Sequence, residues 1–152
     1  MNTEFMKQAL LQARLCEKSG DVPVGAVIVK NGEIIATGRN RREETGFSSL
    51  HAEIDAINNA CRHLGGWNLS GCTMYVTLEP CPMCAGAILM SRLDKVVFGA
   101  FEEKFGAVGS KLNLFYDYKF NHSVKFCGGV LQNECAEILH NFFSKKRSDT
   151  LE

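Results

Sequence analysis

An excess of charge of one sign is missing from this sequence. Lysine plus arginine and aspartate plus glutamate both number 17 in 152 residues. No global basic field therefore exists to gather nucleic acid, and such a partner would have to be held by a local patch. Long apolar runs are missing as well, so no stretch has the length of a membrane span. Met1-Asn2-Thr3-Glu4 does not open a secretory signal. The seven cysteines are odd in number and irregular in spacing, which argues against a disulfide framework and for a reducing, cytoplasmic setting. A second C-x-x-C is absent, and so is any internal repeat, linker or low-complexity segment. With 45% hydrophobic residues, the chain is expected to form one domain over 1–152 with its own core.

What is present is Pro80-Cys81-Pro82-Met83-Cys84, with His51-Ala52-Glu53 thirty residues upstream. Pro82 suits the first position of a helix, where its missing N–H costs nothing. Cys81 then caps that helix, Cys84 is its third residue, and the two sulfurs share one face. The helix N-terminus carries positive partial charge, which favours the thiolates that a metal needs. His51 and Glu53 are two apart and would not share a side of one helix. They can meet at one ion only near a helix start, for which Ser48 or Ser49 is the expected N-cap. His51, Cys81 and Cys84 are thus the expected metal ligands. Three protein ligands leave a fourth tetrahedral position for water, which distinguishes catalytic from structural zinc. Glu53 is left free to carry protons.

H-x-E followed by P-C-x-x-C is the known signature of the zinc nucleobase deaminases, tRNA adenosine deaminases among them. A structural zinc site would need a fourth ligand, and His63, His122 and His140 lie in unrelated contexts. A thioredoxin-like redox pair would not be accompanied by H-x-E. Cys16, Cys61, Cys72, Cys127 and Cys135 are expected as small buried hydrophobes.

In chain order, Asn2 to Lys18 reads as an amphipathic helix. Val22 to Val29 and Glu33 to Thr37 read as strands joined by an Asn31-Gly32 hairpin turn. Gly38 to Phe47 is a loop, followed by a helix from His51 to about His63. Cys72 to Leu78 is a strand leading to the Cys81 helix, which ends near Ser91-Arg92. Lys95 to Gly99 is a fourth strand and Val124 to Val130 a fifth. A closing helix spans about 131–146, with Leu131, Cys135, Ile138, Leu139 and Phe142 on its apolar face and a disordered tail at 147–152. Helices alternating with strands predict parallel pairing in an α/β layered fold. Gly106-Ala107-Val108-Gly109 lacks the Lys-Ser/Thr ending of a phosphate loop and is expected to be a turn.

The order of Val22-Pro23-Val24-Gly25-Ala26, Gly38-Arg39-Asn40, His51-Ala52-Glu53, Tyr75 through Ala87 and Val96 through Ala100 resembles that of bacterial tRNA-specific adenosine deaminases. Gly106 through Ser110, Asn121-His122, Glu134-Cys135 and Phe142-Phe143 extend the resemblance over nearly the whole chain. It implies a three-layer cytidine-deaminase-like fold, with a central mixed sheet of about five strands flanked by helices. It also implies one Zn2+ per chain, a homodimer, a tRNA anticodon stem-loop as partner, and conversion of the wobble adenosine to inosine. Asn40, Val24, Ala52, Leu78, Glu102 and Lys104 are the substrate-binding positions under this resemblance. Candidate RNA contacts are Arg39, Arg41, Arg42 and Lys111 near the pocket, with Phe143, Lys145, Lys146 and Arg147 on the closing helix. Two departures stand out. Phe47-Ser48-Ser49-Leu50 replaces the Asp-Pro-Thr-Ala of many members, and Glu102 stands where Asp is common. On the residues alone, Lys145-Lys146-Arg147 reads first as a solvated, dipole-favoured helix end, and it is the resemblance that points it to RNA. The competing readings are a deaminase of free bases or nucleotides, which needs no basic aromatic helix, and a non-catalytic zinc-stabilised RNA-binding module, which has no use for Glu53.

Overall fold

A computed structural model describes residues Thr3 to Leu151, so Asn2 of the expected first helix lies outside the described residues. Helix α1 (Thr3–Arg14) passes into a 3-10 turn at Leu15–Ser19, followed by strands β1 (Gly25–Lys30) and β2 (Glu33–Arg39). A short helix α2 (Arg42–Thr45) interrupts the expected loop before α3 (Ala52–Leu64). Then come β3 (Cys72–Leu78), α4 (Pro82–Met90), β4 (Lys95–Ala100), β5 (Lys125–Cys127) and α5 (Gln132–Leu151). Among the described residues no helix is long and apolar enough to cross a membrane.

The strands form one mixed sheet in the order β2-β1-β3-β4-β5. β1 is antiparallel to both β2 and β3, whereas β3–β4 and β4–β5 are parallel. The parallel half was expected from the alternation of strand and helix. The antiparallel half comes from the hairpin, whose Asn31 and Gly32 both take the positive φ of a primed turn, at 51° and 78°.

Side chains alternate across this sheet and separate two cores. Ala26, Ile28, Met74, Val76, Val96 and Phe98 face α3 and α4, together with Ala52, Ala56 and Ile88. Val27, Val29 and Val97 face α1 and α5, together with Met6, Ala9, Leu10 and Cys135. Period-2 alternation with both faces covered gives the expected three layers.

Several bounds differ from the sequence reading. β1 starts at Gly25 because the carbonyls of Val22 and Val24 accept from the Asn40 side chain (3.1 Å) and backbone (3.0 Å). β5 is short because the chain turns away just beyond it, with Gly129 at a positive φ of 89°, after Gly128 has passed so close to the Phe98 ring that a Cβ would meet it at 2.4 Å. Of the tail expected as disordered at 147–152, Glu152 lies outside the described residues, and α5 continues through residues 147–151. No glycine or proline interrupts it, and Thr150 Oγ1 donates to the Lys146 carbonyl at 2.8 Å. Phe142, expected in the core, is half-buried and outside both clusters, in a groove beside Arg14, Gly20 and Pro23. Cys16, Cys72 and Cys135 are buried as expected, while Cys61 and Cys127 are only partly covered.

Gly38 lets β2 lie directly on α3. A Cβ there would come within 2.3 Å of Ala56 N and 2.5 Å of Ala52 O, both backbone atoms. Since His51 stands at the N-cap of α3, this contact also sets the height of that residue above the sheet. Gly38→Ala should therefore lower unfolding free energy by about 1–3 kcal/mol, the usual cost of overpacking. Urea titration checks this, with an unchanged midpoint as the contrary result.

Candidate metal centre

Two helix starts meet above the sheet. His51 itself caps α3, with extended backbone (φ −70°, ψ 163°) and its carbonyl accepting from Asp55 N at 3.0 Å. The expected caps Ser48 and Ser49 lie in the preceding turn, held by the Ser49 carbonyl accepting from His51 N at 2.8 Å. Cys81 caps α4 with φ −77° and ψ 174°, and Pro82 follows at the first helical position, as the sequence predicts. Cys84, fully buried, comes one turn later.

His51 Nδ1 lies 3.6 Å from Cys81 Sγ and 3.4 Å from Cys84 Sγ. All three donor atoms fall within 4.8 Å of one another. Tetrahedral zinc with Zn–S of ~2.3 Å and Zn–N of ~2.05 Å has an S···N edge of about 3.6 Å. The donor set thus fits a zinc-sized ion in chemistry and in spacing. His63 and His140 are exposed, and His122 Nε2 lies 2.7 Å from the Leu93 carbonyl, so these three histidines stand apart from the centre.

Glu53 is the second residue of α3 and is 4% exposed. Burial pushes its carboxyl up to about 7, against the opposing pull of its own backbone N–H and of His51. The Cys84 thiol hydrogen-bonds Cys81 and holds it down at about 4. Cys84 in turn is raised, first by facing the Cys81 sulfur and then by burial. His51 is raised by its hydrogen bond to Cys81. These groups hold protons between them that a dication would displace.

A cavity of about 610 Å³ opens over the centre, a volume suited to a small-molecule or nucleotide-sized group. His51, Glu53 and Cys81 lie along it, and of the expected substrate positions Asn40, Val24, Ala52, Leu78 and Glu102 line it too. Asn40 is buried; its Nδ2 donates to Val22 O and its Oδ1 accepts from Arg42 N at 3.3 Å. One Nδ2 hydrogen and one Oδ1 lone pair stay available, the pattern that reads a base edge. Lys104 is exposed and outside the lining, its backbone N–H donating to Glu102 Oε1 at 3.0 Å.

Among the candidate RNA contacts, only Arg42 and Phe143 line this cavity. Arg39 and Arg41 both pair with Glu44, at 3.0 and 2.6 Å, and Arg41 also reaches Asp55 at 3.3 Å. Lys145 and Lys146 line the separate groove beside α1, and Lys111 and Arg147 line neither. Glu79, Met83, Ser48 and Phe105 complete part of the wall without having been expected there. For Phe105 a signal existed, since it is a large apolar residue between charged residues and a glycine.

The MafB19-like deaminase family model matches residues 1–147, so fold and site together define a deaminase. A tRNA-specific adenosine deaminase of Bacillus subtilis is 51% identical over 143 residues, covering 94% of this chain and 89% of that one. A solved structure from a study of A-to-I editing by tRNA:A34 deaminases superposes with a TM-score of 0.87 at 42% identity, covering 91% of this chain and 100% of that one. A guanine deaminase structure from Bacillus subtilis gives a TM-score of 0.63 at 36% identity, over 80% and 88% of the two chains. The chain belongs to the tRNA-specific adenosine deaminase family.

The raised Glu53 carboxyl has a consequence for stability. With a folded value of about 7 against an ordinary 4.5, the folded state binds the extra proton between those two values. Its contribution is therefore present below about 4.5 and is lost as pH rises to about 7. In chelator-stripped protein, Glu53→Gln should gain stability relative to wild type across that window, on the order of 3 kcal/mol. A difference that stays constant from pH 4.5 to 7 in denaturant titrations would contradict the assignment.

Proposed function

We propose that this chain is a zinc-dependent hydrolase that deaminates the wobble adenosine of a tRNA anticodon to inosine, with His51, Cys81 and Cys84 as the ligands of one Zn2+. The observation that carries the chemistry is a buried Glu53 beside a three-donor centre at the floor of a nucleotide-sized cavity. The RNA substrate rests on the family. Bound zinc would supply the Lewis acidity that brings water's pKa from about 15.7 to about 7, worth roughly 12 kcal/mol toward hydroxide at neutral pH.

The remaining work belongs to the chain's own residues. Glu53, with a pKa close to neutral, can accept a proton from the attacking water. It can then deliver that proton to adenine N1 and assist loss of the amino group as ammonia. Asn40 supplies the remaining amide donor and acceptor that hold the base edge. Val24, Ala52 and Leu78 give the base apolar walls, and Glu102 adds a carboxylate to the same lining. Arg42 and Phe143 are the residues best placed to meet the RNA at the mouth, and Lys104, Lys111, Lys145, Lys146 and Arg147 would extend that contact outward. Thiolate ligands call for a reducing compartment, so we place the reaction in the cytoplasm.

The same reading includes a homodimer, and α4 gives it a physical basis. This helix is apolar on every side, which suits a buried helix. Met83, Gly86 and Met90 nevertheless leave an outward stripe at i, i+3 and i+7, with Met90 71% exposed. A second copy would cover it, and the contact would then adjoin the metal helix. Met90→Asp should yield a monomer by light scattering with its zinc retained; a variant that stays dimeric would remove this face from the interface.

Activity is tested on an anticodon stem-loop, free adenosine, guanine and cytidine side by side. The stem-loop should be deaminated and the free compounds not. Glu53→Ala should keep one zinc and lose at least two orders of magnitude in turnover, about 3 kcal/mol of barrier. Faster turnover of guanine or cytidine than of the stem-loop would assign the site to a free base.

A further inference from the structure

Glu79 is neither a ligand nor the proton carrier of the proposed reaction, yet it is buried on the cavity wall at 2% exposure. Its carboxylate accepts four hydrogen bonds from a single loop. Oε1 accepts from Glu102 N at 3.1 Å and from the Ser110 hydroxyl. Oε2 accepts from Val108 N at 3.1 Å and Ser110 N at 3.0 Å. The glycine-bearing turn at Gly106 to Gly109, which lacks the ending of a phosphate loop, thus holds a carboxylate from within the chain. Gly106 makes the fit possible, because a Cβ there would stand 2.4 Å from both Glu79 Oε2 and the Glu102 carbonyl. The next residue, Ala107, donates to the Pro80 carbonyl at 2.9 Å. The loop is therefore referenced to the two residues immediately before the ligand Cys81.

What this loop carries is a wall of the cavity. Glu102 lines it, and so does Phe105, whose ring is 67% exposed. Phe143, 42% exposed, lines the same cavity. An exposed ring beside a catalytic cavity gains by stacking on a base, and stacking repays only when the ring is already in place. We propose that Glu79 is a positioning residue for the nucleic-acid substrate: it locks the 102–110 loop to the start of the metal helix, so that Phe105 meets an unpaired base flanking the reacting adenosine. This rests on the RNA-deaminase reading above. A glutamine could not replace the carboxylate. Its NH2 group would face backbone N–H donors in either orientation, and at least one of them would lose its acceptor.

The experiment uses the zinc-loaded enzyme, an anticodon stem-loop, and the variants Glu79→Gln, Phe105→Ala and the double variant. Glu79→Gln should keep one zinc per chain and show faster amide hydrogen exchange confined to 102–110. Its KM should rise about tenfold or more with kcat within about threefold, the pattern of lost binding that is uniform along the reaction. Phe105→Ala should raise KM comparably, and the double variant should be no worse than Glu79→Gln alone, since one residue acts through the other. Unchanged KM, or KM effects that multiply, would overturn the proposal. So would a fall in kcat at constant KM, which marks only a smaller active fraction. Should Glu79→Gln fail to fold, Ser110→Ala removes one of the four bonds and must move KM and loop exchange in the same direction, or the proposal fails. A wild type inactive on RNA defeats the deaminase reading instead, while the exchange of 102–110 still reports whether Glu79 holds the loop.

Discussion

The convergence of two helix N-termini on one point is the constraint from which the rest of this structure follows. It is produced by the sheet. β2 is antiparallel to β1 and β1 is antiparallel to β3, so β2 and β3 run the same way and end at the same side. α3 follows β2 after a short excursion and α4 follows β3 directly. Both helices therefore start from one end of the sheet, the end where open α/β sheets bind their ligands. Had the hairpin been replaced by a parallel crossover, the same motifs in the same order would not face each other.

That convergence also explains why charges are tolerated in so dry a place. Glu53 is buried at the first turn of α3, and Cys81 sits at the cap of α4. Both helix ends present positive partial charge, which offsets part of the cost of a carboxylate and two thiolates. The offset is incomplete, since burial still lifts Glu53 to about 7. A group with that value can both take and return a proton near neutrality, whereas an exposed glutamate would stay ionised. The environment that makes Glu53 costly for stability is the one that suits it to proton transfer.

The parts of this site that could be read from the sequence are those encoded by local geometry. His51, Glu53, Cys81 and Cys84 sit within a few residues of helix starts, and proline at the first helical position announces one of them. The sheet was legible from strand patterns and from Asn31-Gly32. The α3 cap was not, because His51 caps the helix in person and the serines before it only shape a turn. Glu79 was hidden for a different reason. Its partners lie 23 to 31 residues away, and no periodicity links a strand-end carboxylate to amides in a later loop. Arg39 and Arg41 look like free cations in the sequence, and only the fold brings Glu44 and Asp55 to them.

Those ion pairs bear on how a chain without net charge could hold the RNA substrate proposed for it. Each arginine committed to a carboxylate contributes little field at the cavity mouth, since a close pair looks nearly neutral beyond a few ångströms. Of the three arginines around Asn40, only Arg42 lines the cavity. The lysines of α5 that line a surface depression do so in the groove beside α1, where Glu17, Glu134 and Glu137 accompany them. Exposed aromatic and thioether side chains, Phe105, Phe143 and Met83, line the cavity over the metal centre beside Arg42. On the proposed RNA substrate such a surface would favour stacking and shape, which every base can satisfy, over phosphate charge. Selectivity for one loop would then lie in how rigidly those rings are held, and that places the burden on buried groups such as Glu79 that touch the loop from behind.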